Sequence, residues 1–215
     1  MNLRQGFKTT WAHFSSKGLA VAFSLIITFG LGYLAASLNR TSDSTFHDIM
    51  VSDPDDLPEL ITPGDSRVCG LAVKLQTPEN AYAYVRDTIT FDPSLPALPA
   101  RDIIESGKAS CLGKAILLCS LYRAMGIPAS DVRVVTGELS HPSAIIDHAW
   151  VDLEYQGVCL QQDATNLIGI FRFDEFQSSM YTRSFVRKEG YAFNDRDFAL
   201  ISSLNLIKGT HPAVH

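Results

Sequence analysis

The sequence predicts an α+β domain of roughly 150 residues carried behind one apolar span. Three observations predict it. A helix with clear start and stop signals opens at Cys111, a hairpin pattern runs from Ile145 to Thr165, and twenty residues near the start of the chain carry no charge.

The uncharged stretch, Gly18 to Ser37, is long enough at about 1.5 Å per residue to cross a hydrocarbon core of ~30 Å as a helix. Arg4, Lys8 and Lys17 precede it without an acidic residue. The excess of positive charge on that side predicts a cytoplasmic N-terminus at 1–17, a transmembrane helix at 18–37 and export of everything after it. A cleaved leader ending at Ala35-Ala-Ser37 is the rival reading, with an unusually long hydrophobic region; both readings export the domain. Residues 38–66, rich in Asp, Ser, Thr and Pro, show no period and read as a polar tether to a domain at 67–215.

Within the domain, Thr77 caps a helix from Pro78 to about Thr88, and Ile89-Thr-Phe-Asp92 follows. Ser110 caps the next helix, which Gly126 and Pro128 stop. Ala115, Leu118, Cys119, Tyr122 and Met125 recur at spacings of three and four, predicting one buried stripe. Cys111 therefore stands in the first turn, where free N–H groups and the helix dipole favour a negative charge. The dipole contributes about 0.3–1 kcal/mol to a nearby anion, up to ~2 when it is partly buried. A thiol whose free pKa is near ~8.5 needs more than that, so a cationic partner is expected.

The partner is expected on the hairpin. Ile145 to Tyr155 reads as a strand, Gln156-Gly157 as a two-residue turn, and Val158 to Thr165 as the return. With Tyr155 opposite Val158, Trp150 faces Asp163 and His148 faces Thr165. His148 and Asp163 then share a face as diagonal neighbours, roughly 7–8 Å apart along the backbone and within reach of one hydrogen bond. A slip of one residue would separate them onto opposite faces. Asp152, Asp147 and His141 are weaker alternatives: Asp147 alternates to the other face, and His141 precedes Pro142 in an apparent loop. A thiol, an imidazole and a carboxylate so ordered form the nucleophile, base and orienting group of a triad.

Past Asn166, the segments 171–176, 185–187 and 191–193 are expected to be strands that complete the sheet, with their aromatic residues in the core. The last residues, 210–215, read as a frayed tail.

Residues 1–40 hold four basic and no acidic side chains, so removing that +4 from the net −5 leaves −9 for the rest of the chain. A domain that acidic is not expected to hold nucleic acid, which needs clustered Lys and Arg. Cys69, Cys111, Cys119 and Cys159 are too widely spaced for a zinc motif, and no cofactor or metal is called for. With Cys111 free, one disulfide among the other three is allowed, and Cys119 on the helix stripe reads as core.

Three stretches carry a family resemblance: Cys111 with Arg123-Ala-Met-Gly-Ile-Pro128, His148-Ala-Trp-Val151, and Asp163-Ala-Thr165. Over roughly residues 77 to 166 the chain resembles the transglutaminase-like superfamily of papain-related thiol enzymes. It departs from the family pattern at Ala109, where Gly is common, at Cys159, where many members have Trp, and at Ala164, where Pro is usual. The resemblance implies a papain-like core with the nucleophile helix packed on an antiparallel sheet. It also implies attack by Cys111 on an amide or ester carbonyl, proton transfer by His148 and orientation by Asp163. The oxyanion would be met by the Cys111 N–H and a second donor, with Asn80, Tyr82 and Tyr84 as upstream candidates. The expected activity is hydrolysis of amide bonds in a protein or peptide on the outer side of a bacterial inner membrane. Transfer to amines, or an anchored binding module that lost the chemistry, are the alternatives.

Overall fold

A capped helix, a tight hairpin and an apolar helix interior dictate most of the architecture. The computed structural model describes residues 56–141 and 144–201, which belong to one compact unit. The expected span at 18–37 and the tail at 210–215 lie outside the described residues. Among the described residues, no helix is long and apolar enough to cross a membrane.

The order is α1 (Leu57–Leu60), α2 (Ser66–Leu75), α3 (Pro78–Asp87), β1 (Thr90–Phe91), α4 (Ala100–Ser106), β2 (Lys108–Ala109), α5 (Cys111–Ala124), β3 (Val132–His141), β4 (Ala144–Tyr155), β5 (Val158–Gln162), α6 (Met180–Phe185), β6 (Val186–Phe193) and β7 (Phe198–Leu200). Leu57 and Ile61 are buried in the core, so packing of the domain begins inside the stretch read as tether. Four helical residues are too few to show a period. As expected, Thr77 caps α3 by accepting from Asn80 N at 3.2 Å.

The main sheet is antiparallel throughout, in the order β5-β4-β3-β6-β7, and bears out the α+β expectation. Its hairpin has the predicted register, with Tyr155 opposite Val158 and Val151 opposite Gln162. Gln156 and Gly157 both take positive φ, 54° and 78°, as a primed two-residue turn requires. Pairing stops at Gln162, so Asp163 stands one residue beyond the strand rather than on it.

Helix α5 lies across β3 and β4 and is flanked by α2, α3 and α4. The expected single stripe is thus too narrow: every residue from Leu112 to Tyr122 is buried, Lys114 included. A helix covered on all sides needs apolar residues all round, which a 3.6-residue period cannot reveal. From His148 to Leu153, strand β4 is likewise buried on both faces. Ala149, Val151 and Leu153 join the core under α5, while Trp150 points into a second cluster with Val135, Leu139, Tyr181 and Ala192.

The C-terminal part differs from expectation in two places. Residues 186–193 form β6, but 171–176 is a loop and Phe185 ends a helix. The aromatic residues of the loop are half-buried and pack against the core clusters, as expected. Phe173 sets its edge against Tyr82 and Tyr155, at 6.1 and 5.7 Å between ring centroids. Phe171 and Phe176 pack on each other at 4.7 Å over the Trp150 cluster. Aromatic residues spaced to plug two clusters look, in sequence, like an alternating strand.

Candidate active site

Ser110 closes the first turn of α5 by accepting from Gly113 N at 3.4 Å, which leaves Cys111 half-buried at the helix start. Ala109, just before it, pairs in parallel with Phe91 through β1 and β2. This short pairing brings the loop after Phe91 beside the thiol. The result is a cleft of about 560 Å³ whose walls include Phe91, Leu95, Cys111, Ile146, His148 and Leu167.

His148 and Asp163, both with fully buried side chains, meet at 3.0 Å between Nε2 and Oδ2. The predicted hairpin register therefore brings them together. Nε2 is committed to the carboxylate. Nδ1 is buried with no hydrogen-bond partner, which leaves it as the ring nitrogen available to Cys111. Burial alone would pull the imidazole pKa down. The Asp163 carboxylate and the Cys111 thiol outweigh that and hold it at about 10. Burial would raise the Asp163 carboxyl, but the His148 charge and hydrogen bonds from His148 and Thr165 keep it below its usual value.

Sequence reasoning missed the frame around Asp163. Tyr181 OH donates to Oδ2 at 3.0 Å, beside the imidazole. Thr165 donates twice to Oδ1, from N at 2.9 Å and from Oγ1 at 2.7 Å. Tyr82 OH donates to the Asp163 backbone carbonyl at 2.8 Å. Asp-x-Thr is a legible side-chain turn signal. Tyr181 has no such signal, because helix α6 brings it in from 18 residues away.

Asp152 is taken up by Arg133 at 2.9 Å, Trp150 Nε1 at 3.2 Å and Gln161 at 3.1 Å, so it does not serve His148. Asp147 borders the cleft opposite Glu138, and its carboxyl is raised by burial and by that neighbour. His141 ends strand β3 at the cleft rather than lying in a loop. None of Asn80, Tyr82 and Tyr84 lines the cleft. Asn80 donates to Leu75 O and Tyr82 serves Asp163, so the upstream oxyanion donor is not among them.

The three departures from the family pattern also stay out of the cleft lining. Ala109 is accommodated because Gly113 faces it; a Cβ there would come within 2.9 Å of the Ala109 Cβ. All four cysteines are free, with Cys119 buried in the core as expected. No group of His, Cys, Asp and Glu among the described residues has the arrangement of a metal site.

The family model of the transglutaminase-like superfamily matches residues 69–163. Over this segment the chain is similar to that superfamily. The transglutaminase-like match runs from α2 to the Asp163 turn and takes in Cys111, His148 and Asp163. Among solved structures, Legionella pneumophila LapG is similar at 14% identity, covering 72% of this chain and 91% of that one, with a TM-score of 0.45. Its calcium-bound form is similar at 16% identity, covering 70% and 91%, with a TM-score of 0.43. A Cytophaga hutchinsonii protein, described provisionally as a cysteine protease, is similar at 19% identity with a TM-score of 0.43. That match covers 70% of this chain and 54% of the other, so this chain spans about half its length. No curated protein matches the sequence.

Proposed function

We propose that this protein is a membrane-anchored thiol hydrolase that cleaves amide bonds of exported proteins or peptides. The observation that carries the reading is the buried His148–Asp163 contact, which leaves Nδ1 to the Cys111 thiol at the floor of a cleft. In this reading the Cys111 thiolate attacks the carbonyl carbon and the oxyanion meets the Cys111 N–H at the start of α5. The imidazolium gives its proton to the leaving amine as the C–N bond breaks. Water, deprotonated by His148, then attacks the thioester, releasing the acid and restoring the thiol. Asp163 keeps the ring oriented through both halves.

The anchor in this reading is the uncharged stretch 18–37, which would hold the domain outside the cytoplasm. The test is hydrolysis of exported proteins by the full chain and by Cys111→Ser. Loss of turnover with an unchanged unfolding midpoint supports the reading, and turnover that survives ends it. Incorporation of a labelled primary amine, in place of hydrolysis, would change the acyl acceptor from water to an amine.

A further inference from the structure

Lys114 stands three residues after Cys111 on α5 and is only 1% exposed. Burying an ammonium is costly even after relaxation. A leucine would suit the apolar surroundings better if filling space were the only need. The ammonium makes two hydrogen bonds, both to backbone: Ala164 O at 2.8 Å and Arg86 O at 3.2 Å. It therefore ties the helix of the nucleophile to the end of α3 and to the turn just past Asp163.

The bond to Ala164 O has a direct consequence for the carboxylate. That carbonyl and the N–H of Thr165 belong to one peptide unit, and the same N–H donates to Asp163 Oδ1 at 2.9 Å. A cation on the oxygen of a peptide polarises it and strengthens its N–H as a donor. The peptide before it is held as well, by Tyr82 OH on Asp163 O. Both peptide planes after Asp163 are thus fixed, one from α3 and one from α5.

Resting on the reading of Cys111, His148 and Asp163 as a triad, we propose that Lys114 is a positioning residue, which orients Asp163 for His148 through the Ala164–Thr165 peptide. The charged groups that act on its ammonium are the Asp163 carboxylate from the turn and Asp87 at the end of α3. Burial lowers the Lys114 pKa to about 8, against the pull of Asp163 and Asp87. The interaction is therefore charge-assisted at neutral pH.

The test compares the full-length protein with Lys114→Met, which keeps the chain length but donates nothing, and with Lys114→Gln, which keeps a donor without charge. Two quantities are read: the NMR titration of the His148 imidazole, and the rate of Cys111 alkylation by iodoacetamide per folded molecule, with Cys111→Ser as background. Lys114→Met should lower the His148 proton affinity at least tenfold and slow alkylation at pH 7 at least tenfold, with Lys114→Gln between it and wild type. If Lys114→Met does not fold, the Lys114→Gln titration is read the same way. A role confined to packing would lower the unfolding midpoint and leave both quantities unchanged, which overturns the proposal. A role confined to bulk electrostatics would raise the His148 affinity, because a positive charge has been removed, and overturns it too. A wild-type His148 that titrates near its ordinary value would undermine the triad reading itself; a raised His148 that ignores Lys114 would sink the positioning role alone.

Discussion

At the scale of single residues, Asp163 is the point where the site is decided. Both of its oxygens are saturated, by His148 and Tyr181 on one side and by Thr165 on the other. An acceptor so committed in a low-dielectric interior holds its donors in fixed directions. The two pKa shifts make this a statement about stability. His148 is raised to about 10, so its contribution is complete below its ordinary value near ~6.5 and is lost as pH rises through 10. Asp163 is lowered, so its contribution is complete above its ordinary value near ~3.9 and is lost as pH falls through its depressed value. Asp163→Asn should therefore cost most stability between about pH 4 and 6.5, with the deficit shrinking steadily towards pH ~10. Urea midpoints for both proteins across that range check it, and a deficit independent of pH would contradict the assignment.

At the scale of elements, the site depends on how closely β3, β4 and β6 approach one another. Gly137 in β3 lies opposite His148 in β4 and opposite Glu189 in β6. A Cβ at Gly137 would collide with Lys188 O and meet the Trp150 ring at 3.0 Å. The first of these is backbone and cannot swing aside. Gly137→Ala should destabilise the domain by about 1–3 kcal/mol, the range for overpacking a tight interior. It should also slow Cys111 alkylation, because β4 carries His148 directly across from the inserted methyl. A thermal midpoint unchanged from wild type would show that the sheet yields there. The helix elements follow the same logic with a different outcome. Caps at Ser110 and Thr77 are local and were legible, whereas burial of α5 on every side follows from the three helices and two strands that surround it.

At the scale of the whole molecule, an anchored domain predicts a simple physical behaviour. Full-length protein should sediment with membranes, resist extraction by high salt and dissolve in detergent, while a chain lacking 18–37 should stay in the supernatant. Salt-extractable protein would count against a spanning anchor. The capped helix that carries Cys111, the register of the hairpin that brings His148 to Asp163, and the family likeness of residues 69–163 are all legible in the residues alone. Those features rest on signals that act over a few residues: a capping hydroxyl, a turn that needs positive φ, an alternation with period two. Packing sets Tyr181 and Lys114 against the Asp163 turn, from 18 and 50 residues away along the chain to the groups they contact. It also decided that 171–176 is a loop, that Asp152 answers to Arg133, and that the cleft wall comes from the loop after Phe91. No periodicity encodes these contacts, because each depends on where an element comes to rest once both faces of the sheet are covered.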